Sequence, residues 1–120
     1  MKYDQNNIFA RILRKEIPAD VLYENEYALA FHDINPKAPI HVLVIPKGNF
    51  ISFLDFAIDA SPELTVGFNK AIHHVICSLK LEQEGFRILS NHGLHGGQEV
   101  LHYHVHIFGG RPLGRMLSPP

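Results

Sequence analysis

Apolar residues keep a helical spacing in two stretches of the chain and a strand-like one in five others. Phe9, Ile12 and Leu13 are helically spaced within "NNIFARILRKEIP", which opens on capping asparagines and has to end before Pro18. A short helix is predicted there. "DVLYENEYALAFHD" reads as two strands joined at the polar Glu24-Asn25-Glu26, a hairpin. The two prolines of "INPKAPI" interrupt regular structure, and the β-branched run "HVLVIP", residues 41 to 46, predicts a buried strand. From Ser61 the period changes: Leu64, Phe68, Ala71, Ile72, Val75, Ile76 and Leu79 form one face of an amphipathic helix of about five turns. Ser61 and Pro62 supply its cap and first position, and Gly85 its stop. "FRILS" and "LHYHVHIF" are two more strands, separated by "NHGLHGGQEV". Without a βαβ rhythm or an internal repeat, this pattern predicts an α+β fold on an antiparallel five-stranded sheet, one domain over residues 1–120.

The last strand is two-sided. His102, His104 and His106 alternate with Tyr103, Val105 and Ile107, so three imidazoles share one face and the apolar partners point to a core. Five of the nine histidines fall between residues 92 and 106, a clustering that points to a site.

Composition narrows the class without naming the chemistry. The chain is 46% hydrophobic and 19% charged, with a net charge of −1, which argues against a broad nucleic-acid or membrane surface. A lone cysteine, Cys77, forms no internal disulfide and fits a reducing compartment. "MKYDQNNIFA" has polar residues where a signal peptide needs an apolar run, and no stretch approaches the roughly 18 apolar residues of a membrane helix. A cytoplasmic protein is expected.

Two chemistries use aligned histidines. Zinc takes imidazole, but His102 and His106 stand roughly 13 Å apart along a strand. Ligand nitrogens on one tetrahedral ion lie about 3.5 Å apart. A zinc site would need a pair from the strand plus His41, and would leave one histidine unused. Nucleophilic catalysis at phosphorus uses all three: one neutral imidazole attacks while its neighbours orient it, contact phosphate oxygens and protonate a leaving group. "HGGQ" ahead of the strand can present backbone N–H groups to an anion. Other candidates read as ordinary structure. His73 and His74 fall on the long helix, at its surface or a subunit contact; Cys77 is a small packed residue, and His92 and His95 are loop residues.

"HYHVHIF" matches the His-φ-His-φ-His-φ-φ signature (φ apolar) of the histidine-triad family of nucleotide-binding proteins. "IFARILRKEIPADVLYENEYALAFHDINPKAPIHVLVIPK" resembles the N-terminal half of its Hint branch, and "NHGLHGGQEVLHYHVHIFGGRPLGRML" the bacterial members of that branch. The resemblance implies a five-stranded antiparallel sheet with two helices, and a homodimer whose sheets join into one of ten strands. It implies binding of purine nucleoside monophosphates and hydrolysis of the P–N bond of nucleoside phosphoramidates, with aminoacyl adenylates as related substrates, through a phosphohistidine and without cofactor or metal.

Carried over by position, the resemblance makes His104 the nucleophile and His106 a phosphate-contacting histidine that helps the leaving group. His102 and His41 hydrogen-bond around the nucleophile and set its orientation. Asn91 falls on the phosphate side, Asp33 at the ribose hydroxyls, and Ile8, Phe9, Ile12, Phe31, His32 and Ile34 around the base. Two departures stand out. Glu99 occupies the place of a phosphate-contacting serine in animal members, where a carboxylate would repel a dianion unless turned away. The tail "GRMLSPP" lacks their tryptophan-containing ending, so their leaving-group preference does not transfer. Three further readings compete. Glu99 motivates a nucleotide-binding regulator with incidental hydrolysis, and His41 with a histidine pair a zinc-dependent hydrolase. The neighbouring branch supplies a dinucleoside polyphosphate hydrolase, against which "GGQEV" and "GGRPLG" resemble Hint.

Overall fold

The computed structural model of the chain describes residues 2–119. Its elements run in chain order α1 (Ile8–Leu13), β1 (Val21–Glu24), β2 (Ala28–His32), β3 (Ile40–Pro46), α2 (Phe53–Asp59), α3 (Pro62–Ser78), β4 (Arg87–Leu89), α4 (Gly93–Gly96) and β5 (Val105–Gly109). The five strands form one sheet in the order β1-β2-β3-β5-β4, with every neighbouring pair antiparallel.

An antiparallel sheet often leaves one face in water; here both faces of the central strands are covered. On one side Ala28, Ala30, Val42, Val44, Val105 and Ile107 pack against Phe68, Ala71, Ile72, Val75 and Ile76 of α3 and Phe56 of α2. On the other side Leu29, Phe31, Leu43 and Ile45 meet Phe9 and Ile12 of α1. Double coverage explains why "VLVIP", residues 42–46, is apolar throughout rather than alternating. The side under α1 is the side of the histidines.

Both expected helices form. Asn7 caps α1 by accepting the Ala10 N–H at 2.9 Å, and Ser61 caps α3 with Pro62 behind it. The long helix ends at Ser78, seven residues before Gly85. Lys80 takes the left-handed conformation at φ 57°, its N–H bonds to the Cys77 carbonyl, and the Leu81 N–H reaches back to Ile76. This is a Schellman stop without glycine, held by burial of Leu81. Two more helices add to the expected pair. Before α2, Ser52 accepts the Leu54 N–H and Asp55 reciprocates on the Ser52 N–H at 2.8 Å, a capping box legible as Ser-x-x-Asp. The single turn of α4 ends on Gly97 at φ 74°, so the loop assigned to His92 and His95 holds an N-cap and a helical residue.

The last strand is shorter than its pattern. Ladder pairing covers Val105–Gly109, while the chain bends at Leu101 and His102, and residues 101–104 have no ladder partner. Pro46 is the cause. It ends β3 without an N–H to donate, and its carbonyl is taken by the His102 ring. The alternation of faces persists regardless: Tyr103 packs into the α3 side, next to Phe56 and Phe68, while His104 faces α1. Cys77, expected as packed, is half-buried with its sulfur 3.7 Å from His73, and His73 and His74 are exposed, His74 stacked on Tyr23. Among the described residues no helix is long and apolar enough to cross a membrane.

Candidate active site

A cavity of about 460 Å³ opens between α1, the sheet and the turn ahead of β5. Its apolar end is made by Ile8, Phe9, Ile12, Phe31 and Leu43, and its polar end by Asp33, Lys37, His41, Asn91, His104 and His106. Register places the histidines. His41 stands opposite Phe108 and Leu43 opposite His106, so His41 and His106 are diagonal neighbours on one face of adjacent strands. Phe108, next in the alternation, stacks parallel to His106 and lies 4.2 Å from the His41 ring centroid.

Hydrogen bonds assign a proton to one nitrogen of each ring. A neutral imidazole has one N–H and one lone pair. His104 Nδ1 lies 2.7 Å from the His102 carbonyl, which can only accept, so Nδ1 bears the proton and Nε2 keeps its lone pair. His41 Nδ1 accepts the backbone N–H of Lys37 at 3.1 Å, so its proton is on Nε2. That Nε2–H points to His106 Nδ1 at 2.9 Å, with a carboxylate oxygen of Asp33 3.5 Å away. His106 Nδ1 is therefore an acceptor and its Nε2 carries the proton. His102 Nε2–H donates to the Pro46 carbonyl at 3.0 Å, and its Nδ1 accepts the hydroxyl of Tyr3. One ring thus offers the cavity a lone pair and another an N–H.

Burial keeps these rings neutral. It pushes His102 down to about 4, against the opposing pull of the Pro46 carbonyl. His106 is likewise pushed down to about 4, first by burial and then by His104 and His41. His104 is lowered by burial, opposed by its bond to the His102 carbonyl and by the charges of Asp33 and Glu99. Burial lowers His41 too, with Asp33 pulling the other way. Phe9 stands edge-on to His104 at 4.9 Å and excludes water from its face.

Ligand atoms of Asp33, His41 and His106 lie within 4.8 Å of one another, which invites comparison with a metal centre. The donor set does not suit one. His41 Nε2 carries the ring proton because Nδ1 is already an acceptor, so a metal there would need an imidazolate or the loss of the Lys37 bond.

Of the residues named from the sequence, His104, His106, His41, Asp33, Asn91, Glu99, Ile8, Phe9, Ile12, Phe31, His32 and Ile34 all line the cavity, Ile34 at its rim with 87% of its surface exposed. His102 does not. It is fully buried behind His104, and what it presents to that ring is its backbone carbonyl. In the "HGGQ" turn the Gly97 and Gln98 N–H groups bond to the Leu94 and Gly93 carbonyls, so these two are taken within the turn rather than offered to an anion. Asn91 holds that turn through Gly96, and Glu99 reaches the cavity from an exposed position. Sequence reasoning passed over Phe108, Lys37, Leu43, Val100 and Tyr3. Phe108 was within reach, as the next residue on the histidine face; Tyr3 and the Lys37 N–H leave no signal in spacing.

The HIT domain family matches residues 14–113. The chain belongs to the HIT domain family. A HIT-like protein of Azospirillum brasilense is 50% identical over 116 residues, covering 97% of this chain and 95% of its own. The purine nucleoside phosphoramidase of Escherichia coli K12 is 39% identical over 115 residues, 95% of each chain. Among solved structures, a histidine triad protein of Clostridium difficile superposes with a TM-score of 0.86 at 37% identity, covering 98% of this chain and all of that one. A HIT family hydrolase of Clostridium thermocellum gives 0.86 at 34%, over 95% of this chain and 99% of the other. The HIT fold is thus shared over nearly the full length.

Buried neutral histidines make stability acid-sensitive. Unfolded imidazoles take up protons from about 6.5 downward, while His102 in the folded chain does so only at about 4. Between these values the unfolded state binds more protons, so stability falls as pH falls through that window. For His102 alone the loss is about 3 kcal/mol. Urea unfolding across pH 4 to 7 is expected to show this decline; a flat profile would contradict the burial of neutral rings.

Proposed function

We propose that this HIT protein hydrolyses the P–N bond of purine nucleoside phosphoramidates, releasing the nucleoside monophosphate. The observation that supports it most is the pairing of a free lone pair on His104 with an N–H on His106 at the polar end of a cavity whose other end is apolar. An apolar slot takes a purine face, Asp33 offers a carboxylate to ribose hydroxyls, and the phosphoryl group lies against the histidines. The phosphoramidase of E. coli, 39% identical, agrees with this reading. Aminoacyl adenylates present the same nucleotide half and are a related substrate class.

The phosphoryl anion beside His106 raises that ring's affinity for a proton, so substrate brings one proton into the site. It enters at His106 Nδ1 as the His41 Nε2–H turns to Asp33, 3.5 Å away and the counter-charge. His104 Nε2 then forms a bond to phosphorus as the P–N bond breaks. The amine departs with the bonding pair and takes the proton from His106 Nε2. His104 is now a cationic phosphoimidazole, and its Nδ1–H bond to the His102 carbonyl strengthens. Water attacks phosphorus, gives its proton back to His106, and His104 leaves as a neutral ring. No metal takes part in these steps.

The fold also suits a homodimer. β4 is a sheet edge with Ile88 and Leu89 exposed, and pairing through it with a second copy would join two sheets into ten strands. Sedimentation as a two-chain species is expected, and a monomer at micromolar concentration would remove this part of the reading.

For the reaction, adenosine 5′-phosphoramidate with no metal added is expected to yield AMP. His104→Ala should lower turnover by a factor of about 10³ or more. His106→Asn should lower it by roughly 10² for a basic leaving amine, and by much less for a leaving group that needs no proton. Unchanged turnover in His104→Ala would dismiss the nucleophile, and abolition by chelator would restore the zinc alternative.

A further inference from the structure

The N-terminal arm reaches this machinery from behind the cavity. Half-buried Tyr3 stands edge-on to His102, ring centroids 5.6 Å apart, and its hydroxyl donates to Nδ1 of that ring. The direction follows from the other nitrogen: Nε2–H is given to the Pro46 carbonyl, so Nδ1 has only a lone pair. Burial raises the Tyr3 phenol above its ordinary value, so it keeps its proton at neutral pH.

The arm is itself fixed in place. Asn7 donates from its amide to the Asp4 carbonyl at 2.7 Å, the Asn6 N–H bonds to the Asp4 carboxylate at 2.9 Å, and Arg14 bonds to the Gln5 carbonyl at 2.8 Å. Asn7 also caps α1, which supplies Ile8, Phe9 and Ile12 to the cavity. A pinned stretch of chain therefore joins the apolar wall to the ring whose carbonyl holds the nucleophile.

We infer that Tyr3 is a positioning residue for His104, acting through His102. The hydroxyl and the Pro46 carbonyl grip the His102 ring at both nitrogens, and the carbonyl of that residue receives the Nδ1–H of His104. Without the hydroxyl the ring is tethered at one nitrogen, and the carbonyl that aims His104 loses its fixed place. This deepens the phosphoramidase reading and rests on it.

Tyr3→Phe keeps the ring and its packing and removes only the donor, and Tyr3→Ala removes both. With adenosine 5′-phosphoramidate, Tyr3→Phe is expected to lower kcat about three- to tenfold, the equivalent of one hydrogen bond. AMP affinity should stay within about twofold, since the cavity wall is untouched. The ¹⁵N resonance of His102 Nδ1 should move toward that of an unbonded lone pair. Wild-type kcat in Tyr3→Phe, whatever Tyr3→Ala does, overturns the inference, and so does an equal loss of AMP affinity and rate. If the wild-type protein itself releases no AMP, the proposed reaction fails, and the inference is then judged on His104. A second His104 tautomer in Tyr3→Phe supports it; a single unchanged tautomer overturns it.

Discussion

A neutral imidazole has a single ring proton, and the hydrogen bond from His104 Nδ1 to the His102 carbonyl decides where that proton stays. Whether His104 offers the cavity a lone pair depends on it. Were the proton on Nε2, His104 would present an N–H to the cavity and have no lone pair there. The same constraint runs through the Lys37 N–H, which sets the tautomer of His41, and His41 in turn sets that of His106. Two backbone groups thereby leave one histidine with a lone pair toward the cavity and its neighbour with an N–H. Burial completes the arrangement, because a charged ring would have protons on both nitrogens and erase the distinction.

The sheet makes those backbone groups available. A carbonyl inside a ladder is already engaged, whereas the His102 carbonyl lies in a bend just before β5. Pro46 ends the adjoining strand there, having no N–H, and its own carbonyl takes the His102 ring. The break in the ladder is thus what frees an acceptor for His104. Covering both faces of the sheet adds the dry surroundings, with α1 and Phe9 closing the histidine side.

Most of this fold was legible because it rests on periodicity. Alternating Tyr103, Val105 and Ile107 against His104 and His106 assigns the faces, and the spacing from Leu64 to Leu79 gives α3. What escaped depends on contacts distant in sequence or on local exceptions. Lys80 ends α3 in a conformation favoured by glycine, because Leu81 gains burial, and no pattern announces that. α2 hides among exposed Phe53, Leu54 and Ile58, with only its capping box to reveal it. In the candidate site both the cavity residues and the roles expected of the histidines followed from the family resemblance, but the tautomer of each ring did not. His102 acts through its backbone rather than in the cavity, and Tyr3, 99 residues away, meets it only in the folded chain.

The tautomers themselves are the most direct test. A long-range ¹H–¹⁵N spectrum of the labelled protein at pH 7 distinguishes the two nitrogens of each ring. It should show His104 protonated at Nδ1, with His41, His102 and His106 protonated at Nε2. A His104 ring protonated at Nε2, or at both nitrogens, would contradict the account at its centre.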